Sequence, residues 1–199
     1  MNRTARIVTG IAFGLASILT SVSMSAAETG NRIYDPSSKQ WIEYGAGMRF
    51  GKSKIKRKVV DYEGPDRANT IVVDTAERRL YYVMDGGKAI KYGIGVGREG
   101  FQWAGSNRIS RKAEWPGWTP PPAMRKRVPD LPAYMEGGIN NPLGARALYI
   151  GSTIYRIHGS NEPWTIGQAV SSGCIRMTND DVSHLYEQVK VGTRVIVKR

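Results

Sequence analysis

The chain has 199 residues, 41% of them hydrophobic, with one cysteine, two histidines and a formal net charge of +12. That length admits a leader and one domain able to bury its own core, and a single cysteine excludes an internal disulfide. The basic residues are scattered, apart from the run Lys52 to Lys58, and carry no helix-turn-helix or RNA-binding signature, so they speak for polyanions in general and against nucleic acid.

The first segment places Arg3 and Arg6 ahead of an apolar run from Ile7 to Leu19 and closes on the small residues Ser25, Ala26 and Ala27. That order predicts a secretory signal peptide cleaved after Ala27; the run falls short of the roughly 20 residues of a bilayer span, which leaves an uncleaved anchor as the alternative. No cysteine near the cleavage point offers a thiol for lipidation. Cleavage leaves 172 residues and a charge of +10, and no later segment is apolar enough to span a membrane. Residues 28–67, polar and interrupted by Pro36 and Pro65, read as an N-terminal extension.

Ordered structure is expected from about Asn69, within a domain at 68–199. Thr70 to Asp74 is β-branched, Arg79 to Met84 carries Leu80, Tyr81, Tyr82 and Val83, and Ala89 to Val96 follows the turn Asp85-Gly86-Gly87-Lys88. These predict a β-meander. Residues 98–147 hold seven of the ten prolines, with Trp103, Trp115 and Trp118, and show little periodicity. So long a loop reads as a functional lid, or as an excursion packed by its own tryptophans. Strand character returns from Ala147 to Ile157. Thr178-Asn179-Asp180-Asp181 then gives an N-cap with first-turn acids, and Val182, Leu185, Tyr186 and Val189 predict a short amphipathic helix. Gly192 ends it before a closing strand from Thr193 to Val197. The expected fold is mostly β, with minor helix.

Chemistry concentrates on two residues. An odd thiol in an oxidising compartment is a liability unless buried or used, which makes Cys174 the first residue to interrogate. It follows Ser171-Ser172-Gly173 and precedes the predicted helix, while His158 ends a strand beside Gly159. An imidazolium or a helix N-terminus lowers a thiol pKa, so a Cys–His pair supplies a nucleophile suited to carbonyl attack. Small residues before the cysteine would expose its sulfur and turn backbone N–H groups toward an oxyanion. On spacing alone, a buried inert cysteine and an unrelated histidine fit equally well.

The segment from Ile157 to Met177 resembles the signature of the L,D-transpeptidase catalytic domain, the YkuD-like family (the ErfK/YbiS/YcfS/YnhG group). That signature has a His-Gly pair, some fifteen residues, then Ser/Thr-His-Gly-Cys, a hydrophobic residue and Arg. Here stand His158-Gly159, then Ser171-Ser172-Gly173-Cys174, then Ile175-Arg176-Met177. The resemblance extends over roughly residues 69–198. The family's histidine two positions before the cysteine is Ser172 here, which puts local hydrogen bonding and the thiol pKa in question. The resemblance implies a YkuD-like β-sandwich or mixed-sheet domain, with a short helix after the cysteine and a long Trp/Pro-rich lid loop.

It also implies Cys174 as nucleophile, His158 as general base, and the Gly159 carbonyl orienting the imidazole. The Gly173 and Cys174 N–H groups would form the oxyanion site, with Ser171 and Ser172 beside it. Arg176 would hold the active-site loop or meet a substrate carboxylate. The implied reaction is attack on the L,D bond before the terminal D-Ala of a peptidoglycan tetrapeptide stem in the periplasm. A thioester would then pass to an amine of a second stem (a 3→3 cross-link) or to an envelope protein. Hydrolysis by an L,D-carboxypeptidase and a noncatalytic wall-binding module are the alternatives. A papain-like peptidase fits less well, since its cysteine precedes its histidine.

The remaining candidates are weaker. His184 is expected on the solvated helix face. Trp164 would line the cleft or pack in the core. Two distant histidines and one cysteine make no zinc set, so neither metal nor cofactor is expected. The glycines from Gly93 to Gly97 lack a following helix and read as strand-end geometry rather than a nucleotide loop.

Overall fold

A computed structural model describes residues 32–35, 40–43 and 53–199. The predicted leader lies outside them. Strands β1 (Arg32–Asp35) and β2 (Gln40–Glu43) form an antiparallel hairpin. The remaining strands begin with β3 (Lys58–Asp61), β4 (Thr70–Asp74), β5 (Arg79–Met84), β6 (Lys88–Gly93), β7 (Val96–Gly97) and β8 (Gly105–Glu114). After helix α1 (Pro122–Arg127) come β9 (Arg146–Ile150), β10 (Arg156–His158), a 3-10 turn at Pro163–Thr165, β11 (Ala169–Ser171) and β12 (Ile175–Arg176). Helix α2 (Asn179–Gln188) and β13 (Arg194–Lys198) close the chain.

One nine-stranded mixed sheet runs β12-β10-β9-β8-β13-β4-β5-β6-β3, and β11 pairs with β7 apart from it. The pairs β4–β13 and β10–β12 are parallel. Strand β4 is central and nearly continuously buried, as its run Ile71-Val72-Val73 requires of a strand covered on both faces. The core continues through Leu80, Tyr92, Ile109, Leu148, Ile150 and Ile157 to Met177, Val182 and Leu185. Helix α2 packs on β9 and β10. Its N-cap is Thr178, whose hydroxyl accepts from Asp181 N at 3.0 Å, with Asp180 and Asp181 in the first turn. No helix among the described residues is long and apolar enough to cross a membrane.

The meander, the Asp85–Lys88 turn, α2 and the closing strand fall where the sequence places them. Three expectations change. The sheet begins at Lys58, ahead of Asn69, because β3 pairs with β6. As an edge strand with Val59 61% exposed, it carries no alternation to read. Second, the span 98–147 contains β8, a ten-residue strand between β9 and β13. Its residues are mostly polar and exposed, and a register shift between Ile109 and Arg111 breaks the period of two, so its neighbours' ladders hold it rather than its own pattern. Third, the strand expected from Ala147 to Ile157 is the hairpin of β9 and β10.

The Trp/Pro-rich excursion is therefore 115–144. It is tied by its own bonds: Trp118 and Met135 exchange two backbone hydrogen bonds of 2.8 Å, and buried Asn141 donates to Glu136 O at 2.8 Å.

Candidate active site

The site forms where β10 lies parallel to β12. Ile157 pairs with Ile175 and His158 with Arg176, so Arg156 stands beside Cys174. Partners across a ladder share a face, as do residues two apart on one strand. His158, Arg156, Arg176 and Cys174 thus fall on one face. At about 4.8 Å between strands and about 3.3 Å per residue, the Cα atoms of His158 and Cys174 are about 8 Å apart.

His158 is 4% exposed, and its Nδ1 lies 2.6 Å from Gly159 O. A carbonyl only accepts, so Nδ1 carries the proton and Nε2 keeps its lone pair. The backbone is locked from both sides by Gly159 N to Arg146 O at 3.0 Å and Met177 N to His158 O at 2.8 Å. Gly159 must be glycine: a Cβ there would stand 2.2 Å from Asn179 Oδ1.

The cysteine loop is clamped through its backbone. Ser171 Oγ donates to Cys174 O at 2.6 Å and accepts from Gly173 N at 3.2 Å. Gly173 adopts φ +103°, where a Cβ would lie 2.5 Å from Tyr155 Cε1. Trp103 Nε1 donates to Gly173 O at 3.0 Å, and the indole stacks on Tyr155 at 4.6 Å. Among the described residues the Cys174 N–H has no backbone partner, whereas the Gly173 N–H is engaged by Ser171. Ser171 is accordingly a hydrogen-bonding element of the turn.

Burial dominates the electrostatics of the pair. Burial pushes the Cys174 thiol up, partly countered by the charge and N–H groups of Arg156 and by the Arg176 guanidinium. Burial pushes His158 down to about 3, helped by Arg176 and Arg156 and opposed by the Gly159 carbonyl. The pair rests as neutral thiol and neutral imidazole.

Arg176 ion-pairs with Glu162 at 2.8 Å, and its backbone exchanges two hydrogen bonds with Gly95, at 2.8 and 2.9 Å. This is the loop-holding arrangement, and it absorbs Gly95 of the glycine-rich stretch. Trp164 is 59% exposed in the 3-10 turn, which excludes core packing. Ser172 is half-buried beside the cysteine. His184 departs from expectation: it is half-buried, with Nδ1 2.8 Å from Tyr92 OH, because Tyr92 reaches up from the core.

Sequence reading missed several positioning residues. Buried Asn179 accepts from Ala145 N at 2.9 Å and Ser160 N at 3.2 Å, joining the end of the excursion to the His-Gly turn. Trp103, Tyr155 and Glu162 were equally silent, because their roles depend on partners distant in sequence.

Residues 68–197 match the family model of YkuD, the L,D-transpeptidase catalytic domain. The chain is 44% identical over 134 residues to the probable L,D-transpeptidase ErfK/SrfK of Escherichia coli K12, covering 63% of this chain and 42% of that protein. It therefore spans less than half the length of that relative. A Brucella melitensis structure titled as a probable carnitine operon oxidoreductase is 42% identical, with 74% of this chain and 96% of that one covered and a TM-score of 0.51. L,D-transpeptidase 3 of Mycobacterium tuberculosis, in complex with a faropenem-derived adduct, is 19% identical with a TM-score of 0.52, covering 65% and 60% of the two chains. At that identity the likeness speaks for the fold alone.

Proposed function

Since the chain belongs to the family of L,D-transpeptidase catalytic domains, we propose that it is an exported, wall-associated acyl transferase working through Cys174. Its substrate is the peptidoglycan tetrapeptide stem, attacked at the L,D bond before the terminal D-Ala. The reading divides the chain into a signal peptide at 1–27, an extension at 28–67 and a catalytic domain at 68–199, and places the mature protein in the periplasm. The observation that carries it is the Gly159 carbonyl on His158 Nδ1, which leaves Nε2 free on the face shared with Cys174.

From the neutral pair, His158 Nε2 takes the thiol proton as sulfur attacks the acyl carbon. The Cys174 N–H donates to the developing oxyanion, with the Gly173 N–H available if it releases Ser171 Oγ. Collapse breaks the C–N bond, the imidazolium returns the proton to the departing amine of D-Ala, and a thioester remains. An acceptor amine, activated by the same Nε2, then displaces sulfur. Arg156 and Arg176 oppose the imidazolium while favouring sulfur and oxygen anions, so proton transfer is coupled to attack rather than preceding it. Trp164, exposed close to Glu162, offers a flank for the stem.

Incubation of the purified protein with tetrapeptide muropeptides tests this reading. Cross-linked dimers with loss of D-Ala are expected. Tripeptides alone would mean water is the acceptor, transfer to a lysine would mean protein attachment, and no change would leave a noncatalytic wall-binding module.

A further inference from the structure

Three arginines, Arg111, Arg156 and Arg176, lie on the site face, and Arg176 is neutralised by Glu162 at 2.8 Å. Arg156 and Arg111 have no acidic partner among the described residues. Arg156 Nε is buried and lacks a hydrogen-bond partner among the described residues. The register lines these groups into a row. Arg111 and Arg156 each pair with Tyr149, from β8 and β10, and Arg156 stands beside Cys174. The Tyr149 ring lies between the two guanidiniums, 3.6 Å from Arg111 Cζ and 5.4 Å from Arg156 Cζ. Arg111 is exposed while Tyr149, Arg156 and Cys174 are half-buried, so the row runs from solvent to the sulfur.

We propose that Arg156, supported by Arg111 across the Tyr149 ring, holds a carboxylate of the acyl donor beside Cys174. This rests on the transpeptidase reading for the identity of the donor, but not for the existence of the anion site. A half-buried guanidinium with an orphan N–H and no counter-ion is satisfied by a planar anion that takes two parallel hydrogen bonds. A tetrapeptide stem carries such groups on both sides of the scissile bond, on the leaving D-Ala and on the acyl side. Arg111, three strands from the cysteine at about 14 Å, guides the anion inward and contributes less.

Because Cys174 is the sole cysteine, alkylation reports on it alone. Iodoacetate and iodoacetamide attack the same thiolate, so their rate ratio cancels the thiolate fraction and isolates the pull on the carboxylate. The iodoacetate-to-iodoacetamide ratio is expected to fall about tenfold in Arg156→Gln and about twofold in Arg111→Gln. Arg156→Lys should retain most of it, and Arg79→Gln on β5 should not change it. A wild-type ratio in folded Arg156→Gln overturns the proposal. Should that variant fail to fold, protection of the wild-type thiol from iodoacetamide decides: N-acetyl-D-alanine and 2-aminopimelate stand for the leaving-side and acyl-side carboxylates. At least one should protect at about tenfold lower concentration than its amide, which identifies the source; equal protection by acids and amides overturns the proposal. A charge-dependent ratio in a protein that makes no product from muropeptides would retain the anion site and remove the donor reading.

Discussion

The two ends of the sheet are built differently. From β4 to β6 the ladders are antiparallel, five and six residues long, and their inner face is lined by the buried Ile71, Val73, Leu80, Tyr82 and Tyr92. From β10 to β12 only two residues pair, in parallel. What holds that end is a set of single contacts: Ser171 on Cys174, Trp103 on Gly173, Asn179 on Ala145, and Glu162 on Arg176. Stability is pooled in the first region and local precision in the second. Damage to one should therefore register as lost folding free energy, and damage to the other as lost thiol reactivity.

The pH dependence gives the largest effect. His158 is neutral when folded, with its pKa pushed from 6.5 down to about 3 by burial, while the unfolded chain takes up a proton below 6.5. Its contribution is fully present above pH 6.5 and lost as pH falls toward 3, on the order of 5 kcal/mol. His158→Gln should flatten that acid limb in urea titrations; an unchanged limb assigns acid unfolding elsewhere. Leu80→Ala, at the regular end, should lose about 3 kcal/mol of stability while the folded protein alkylates at Cys174 as before. If alkylation slows too, the two regions are not separable.

Gly173→Ala inverts the pattern. The positive φ and the Tyr155 contact cost about 2–3 kcal/mol, and alkylation should change far more than in Leu80→Ala. Ser171→Ala removes two hydrogen bonds for about 1–2 kcal/mol and should also shift alkylation, through the loosened Cys174 carbonyl. Ser172→His should stay within about 0.5 kcal/mol by thermal unfolding, since the family accommodates histidine there; loss of soluble protein would contradict this.

The same division explains what the sequence could convey. Strands β4 to β6 and β13, and helix α2 with its Thr178 cap, carry periodicity, turn residues or capping residues that act over a few positions. His158, Gly159, Gly173 and Cys174 were singled out through their motif, and the structure gives steric reasons for both glycines. Strand β8 was not legible, because its polar residues are held by ladders on either side. Asn179, Trp103 and Arg156 carried no local signal, since each acts on a group remote in the chain. Protonation is not written in the spacing either: burial acts on both the Cys174 thiol and the His158 imidazole, and Arg156 and Arg176 add their charges.

Proton transfer from Cys174 to His158 Nε2 during attack is tested most directly by rapid-quench mass measurement with a tetrapeptide-stem donor. The wild type should gain the acyl group on Cys174 as D-Ala is released, and His158→Ala should do so about a hundredfold more slowly or worse. An acyl group on any other residue, or acylation of His158→Ala at the wild-type rate, would contradict it.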